Sequence, residues 1–161
     1  MSIAEFTKRM LASKYLALAF RLYIGGIFIY ASMYKISYTA EFAETIASYQ
    51  LVPYWAVNFL ALVMPWLELI CGILLVSGMK SKSATAVIAG MLVLFTVAIF
   101  FILVRKIPIG CGCFSSVEEP ISWATLARDL AWLAMSIHIY LFDSALQLER
   151  KFLMTIKEVQ P

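Results

Sequence analysis

The chain has 161 residues, of which 63% are hydrophobic and only 14% charged, and its mean hydropathy is +0.87. A soluble domain carries about 25% charged residues, so this composition excludes a water-coated globule and makes lipid the solvent for most of the chain. The formal net charge of +3 does not mark a nucleic-acid binder, because the basic residues gather at the ends of apolar segments, a membrane-topology pattern.

A membrane-spanning helix needs about 20 largely apolar residues, and in chain order four segments meet that need. The first runs over about 15–36, with Arg21 near its start and Lys35 at its end. It is longer than the apolar core of a signal peptide, and no convincing small-residue cleavage site follows it, so it is read as retained. Next comes 39–50, too short to span. Its Phe42, Ile46 and Tyr49 recur at helical spacing opposite Glu41 and Glu44, which predicts a short helix lying in the interface. Pro53 ends it and opens the second span, about 55–79, interrupted only by Glu68. The third, about 83–104, has no charge, and the fourth, about 121–142, contains the adjacent pair Arg128 and Asp129. The expectation is an all-α, four-transmembrane-helix bundle forming one integral membrane domain over 1–161.

Loop charge predicts its orientation. Lys8, Arg9, Lys14, Lys80, Lys82, Arg150, Lys151 and Lys157 fall on one face. The opposite face carries Glu41 and Glu44, then Arg105 and Lys106 against Glu118 and Glu119. The positive-inside rule puts both termini in the cytoplasm and the loop bearing Cys111 and Cys113 outside the cytoplasmic (inner) membrane.

Charges within spans are expensive and face the bundle interior, paired. Arg21, Gly25, Phe28, Ser32 and Lys35 share one helical face, and so do Pro65, Glu68 and Gly72. At 1.5 Å per residue, Arg21 lies about 9 Å along the first span and Glu68 about 20 Å along the second, antiparallel one. That arithmetic predicts an intramembrane Arg21–Glu68 pair. Lys35 is expected to snorkel or to reach toward Asp129 beneath the cysteine loop.

In that loop, Ile107-Pro108-Ile109-Gly110-Cys111-Gly112-Cys113-Phe114, an extended i, i+2 cysteine pair sits at the limit of disulfide reach, and the two glycines permit the tight fold that closes it. So small a ring constrains little of the unfolded chain and should be strained and readily reduced, which suits exchange. Arg105, Lys106 and Lys35 would favour a thiolate there. A structural disulfide and a soft Cu(I) site are competing readings, although no histidine lies near and no metal ligand set is assigned. Cys71 reads as a packing residue within the second span, and His138 as an interfacial residue near the end of the fourth.

These elements together resemble the MauE/DoxX group of small membrane proteins, on the MauE side. The features that carry the likeness are Arg21…Gly25…Lys35, Tyr49-Gln50-Leu51-Val52-Pro53, Pro65-Trp66-Leu67-Glu68…Gly72…Gly78, Gly110-Cys111-Gly112-Cys113-Phe114 and Arg128-Asp129. The resemblance implies a part in the disulfide maturation of an exported redox enzyme beside a thioredoxin-like periplasmic partner, and contact with the quinone pool. It marks Cys111 and Cys113 as the exchanging pair, with Lys35, Glu68, Arg128 and Asp129 in support. The leading expectation is therefore a membrane thiol–disulfide oxidoreductase. The alternative is a non-catalytic anchor or assembly subunit of a redox complex. A transporter fits poorly, because four spans without broken or repeated helices offer little path. Phe28, Tyr30, Tyr34, Trp66, Trp123 and Trp132 are candidates to line a quinone pocket, against the ordinary belt or core role of aromatics in spans.

Overall fold

Apolar runs of this length leave their backbone polar groups no partner in hydrocarbon except one another, which makes helix the available structure. The computed structural model describes residues 14–105 and 121–142. All regular elements among them are helices: α1 (Lys14–Ser37), α2 (Thr39–Ser48), α3 (Tyr54–Ser77), α4 (Ser81–Arg105) and α5 (Trp123–Phe142). Of the described helices, α1, α3 and α4 are long and apolar enough to cross a membrane, and the chain is a multi-pass membrane protein.

Local chemistry sets the ends of these helices. Pro53, at φ −65° and ψ 148°, starts α3, and its carbonyl accepts from the Ala56 N–H at 2.9 Å. Gly78 takes the left-handed conformation, φ 76°, and its N–H donates to the carbonyls of Leu74 and Leu75. The cap ends α3 at Ser77 rather than at the expected 79. The turn that follows is so short that α4 must return antiparallel to α3.

Helix α1 packs most extensively on α3, and α4 on α5; α1 also meets α5, while α2 lies on α3. The α1–α3 contact is close because two glycines meet there. A Cβ placed on Gly72 would come within 3.0 Å of the Gly25 carbonyl oxygen and 2.9 Å of Ile29 Cγ1. Small residues of this kind let helix backbones approach where lipid supplies no hydrophobic drive. Around the crossing, Ile24, Phe28, Leu75, Ile88, Leu92, Trp132 and Ile139 form the core, and Cys71 is buried among them as a packing residue. His138 sits between the rings of Phe20 and Phe142, at 5.3 and 4.9 Å.

Candidate functional site

The expected charged face of α1 is present: Arg21, Gly25, Phe28, Ser32 and Lys35 are all buried. Pro65, Glu68 and Gly72 are buried together on α3. The partner of Glu68, however, is not Arg21. Lys35 Nζ donates to Glu68 Oε1 at 2.6 Å and to Oε2 at 2.8 Å, with the Lys35 and Glu68 side chains only 5% and 2% exposed.

The reason lies in the direction of helical side chains. Each leans toward the N-terminus of its own helix. In the antiparallel α1–α3 pair, Lys35 therefore leans back down α1 and Glu68 leans up α3, so the two converge. Arithmetic on Cα depth alone omits this lean and the reach of the lysine stem. It also set Arg21 against Glu68, although Arg21 lies about 21 Å from Lys35 along the α1 axis at 1.5 Å per residue. Arg21 is buried toward the other end of the same face.

The second carboxylate joins from α5. Asp129 is 3% exposed and lines, with Lys35, Glu68, Phe28, Phe95 and Trp132, a cavity of about 40 Å³. Thr96 on α4 donates its hydroxyl to Asp129 Oδ2 at 3.3 Å. Beside it the Arg128 guanidinium lies over the Trp132 ring, 4.9 Å from the centroid, a cation–π placement. The Lys35 ammonium in turn faces the rings of Phe42 (5.0 Å) and Phe95 (5.2 Å). The buried Lys35 cation is thus paired with Glu68, shares a small cavity with Asp129 and has two aromatic faces beside it. A buried charge needs such a full set of partners, because desolvation otherwise exceeds the Coulombic gain.

A broad family match bears on this arrangement. The model of the methylamine utilisation protein MauE family matches residues 13–142, which includes every member of the charged cluster. The chain belongs to the MauE family. Its relatives include the methylamine utilization protein MauE of Paracoccus denitrificans, 28% identical over 75% of this chain and 66% of the relative. The MauE of Methylorubrum extorquens is 31% identical over 64% of this chain and 61% of the relative. That of Methylophilus methylotrophus is 32% identical over 73% and 64%. The chain spans just under two thirds of the length of these curated relatives. No solved structure matches it.

In this MauE-family chain, then, four elements converge on one site: Lys35 from α1, Glu68 from α3, Thr96 from α4 and Asp129 from α5. Cys111 and Cys113 lie outside the described residues. The aromatics named above as candidates for a quinone pocket are not brought together. Phe28 and Trp132 line the small cavity at the charged cluster, whereas Tyr30, Trp66 and Trp123 point outward at 64%, 50% and 66% exposure.

Two members escaped sequence reasoning. Thr96 is a single hydroxyl in a charge-free span and gives no signal of its own. Tyr49 is legible as part of an apolar helical face and of the Tyr49-Gln50-Leu51-Val52-Pro53 motif, but not as a neighbour of Asp129. Its side chain is buried, and burial, with the Asp129 carboxylate as the lesser cause, pushes its hydroxyl up to about 12. Because the folded state holds the phenol neutral past the ordinary value of 10.0, stability should be intact below pH 10 and fall as pH rises toward 12. Each tenfold difference in proton affinity between folded and unfolded chain is worth about 1.4 kcal/mol, so the loss is about 2–3 kcal/mol. Thermal melts in detergent between pH 9 and 12 should show this drop in the wild type and a shallower one in Tyr49→Phe; parallel curves would contradict it.

Proposed function

We propose that this chain is a four-span inner-membrane protein, both termini cytoplasmic, with α5 the fourth span and α2 lying in the outer interface. In this reading its extracytoplasmic Cys111/Cys113 pair supports the disulfide maturation of an exported redox enzyme. The partner's thiolate attacks the Cys111–Cys113 disulfide and forms a mixed disulfide, which the partner's second thiolate resolves. The partner leaves with a new disulfide, and the chain keeps two thiols, which exchange in turn with the disulfide of a thioredoxin-like periplasmic protein. Disulfide and electrons are conserved across the relay. The relatives bear methylamine utilisation names, which points to a client in that pathway.

The observation that carries this reading is the buried Lys35–Glu68–Asp129 cluster. Lys35 lies two residues before the end of α1 and Asp129 six residues after the start of α5. Lys35 thus lies near the end of α1 and Asp129 near the start of α5, the helix that follows the 106–120 connection, while Glu68 meets Lys35 from the middle of α3. Ionisable groups sunk in a membrane helix bundle are expensive and mark functional sites. Here the Lys35–Glu68 pair joins α1 to α3 and the Thr96–Asp129 hydrogen bond joins α4 to α5 around one small cavity, which supports a functional site in this part of the bundle.

Client maturation in cells carrying Cys111→Ser/Cys113→Ser tests the reading. The double variant should accumulate in the membrane at wild-type level while active client is lost. Full client maturation in that variant would make the chain a non-catalytic anchor instead.

A further inference from the structure

Helices α3 and α4 are joined by a short turn, yet each packs more extensively on its other neighbour, α1 or α5, than on the other. The slack between them opens as a second cavity, about 380 Å³, bounded on one side by α2. Apolar cavities near 150 Å³ already admit benzene, and ligand sites run to about 300–1,000 Å³. This volume is therefore large enough for a substantial occupant.

Its walls define the chemistry of that occupant. Leu60 and Met64 on α3 lie about 9–15 Å along the helix from Tyr54 at 1.5 Å per residue, the depth of acyl chains in a helix that crosses the bilayer. Leu94 and Ala98 face them from α4. No charged side chain lines the space; Phe42 and Phe95 stand between it and the Lys35 ammonium. The Thr45 hydroxyl at its edge already donates to the Glu41 carbonyl at 2.9 Å. Leu94, which lines the cavity, is also 66% exposed on the outer face of α4. At Leu94 the cavity accordingly meets the outward face of α4, toward hydrocarbon, while α2 and the segment after it border its other side.

We propose that this cavity holds one acyl chain of a bilayer lipid. The fit is to hydrocarbon: apolar walls, lateral entry at chain depth and no charge to orient a polar ring. An occupied cavity backs the rings of Phe42 and Phe95 and keeps them against Lys35, so the lipid tail becomes part of what holds the charged cluster closed. This inference is independent of the cysteine chemistry and rests on the membrane placement of α3 and α4.

The test is photolabelling in nanodiscs made with a phosphatidylcholine that carries a diazirine midway along one chain, followed by peptide mapping. Adducts should concentrate on Leu60, Met64, Leu94 and Ala98. They should be lost in Ala98→Trp and, as a variant on the other wall, in Met64→Trp, and should persist in Ile73→Trp, on the exposed face of α3. Monodisperse elution and unchanged helix content identify which variants are folded, and the wild-type adduct map decides the matter without them. Adducts spread evenly over the outward residues of α3 and α4, or the lipid label displaced one for one by a ring-headed quinone, would overturn the proposal.

Discussion

Glu68→Ala is expected to destabilise the protein by about 3–5 kcal/mol, because it leaves the Lys35 ammonium buried without its counter-ion. The pair is nearly solvent-free, at 5% and 2% side-chain exposure, so water cannot take over the lost role. Lys35→Ala should cost a similar amount by stranding Glu68, although Asp129 then loses a neighbouring cation as well. Two double variants separate pairing from packing. Lys35→Met/Glu68→Leu removes both charges and should recover much of what either single change loses, since an apolar pair of similar volume avoids desolvation altogether. Lys35→Glu/Glu68→Lys should recover less, because it places an acidic side chain where the cavity is shaped for the lysine and its aromatic neighbours. Unfolding midpoints in detergent measure all four. Midpoints for the single variants equal to wild type would show that the ion pair contributes nothing to the bundle.

Gly72→Leu ranks next. Even the first carbon of a side chain would meet the Gly25 carbonyl oxygen at 3.0 Å, and that contact is with backbone, which cannot swing aside. Helices α1 and α3 must part, at a cost of about 1–3 kcal/mol for overpacking. The effect reaches further than the crossing: moving α1 away from α3 also stretches the Lys35–Glu68 pair, which lies along the same interface. Gly90→Leu, where a Cβ meets nothing within 4 Å, is the matched control and should leave the midpoint close to wild type. If both substitutions behave alike, glycine at position 72 is not required by the crossing.

The part of this architecture that the sequence makes legible is the part governed by periodicity and length. Apolar runs broken by Gly78 and Pro53 mark the helices to within a residue or two, and the spacing of Arg21, Gly25, Phe28, Ser32 and Lys35 identifies the buried face of α1. Cys71 likewise reads correctly as packing. The pairing of charges across helices is less accessible, because it depends on where side chains point and how far they reach. Lys35 is placed near a helix end by its number, yet its stem carries the ammonium back into the bundle to Glu68. Thr96 and Phe95 illustrate a second limit. They acquire a role only when α4 is set against α5 and α2, and nothing in their own neighbourhood distinguishes them from the lipid-facing residues beside them.

Trapping tests whether Cys111 and Cys113 exchange disulfides with an exported partner. Cells expressing Cys111→Ser or Cys113→Ser singly, with Cys71→Ala in both, are quenched with acid and resolved without reductant. The remaining thiolate can still open the disulfide of an oxidised partner, but without its neighbour it cannot resolve the mixed disulfide that forms, so at least one single variant should accumulate as a higher-mass species that reductant collapses to the free chain. That species should be absent when both cysteines are replaced. Monomer alone in both single variants, while the exported client still acquires its disulfides, would show that Cys111 and Cys113 do not exchange with it.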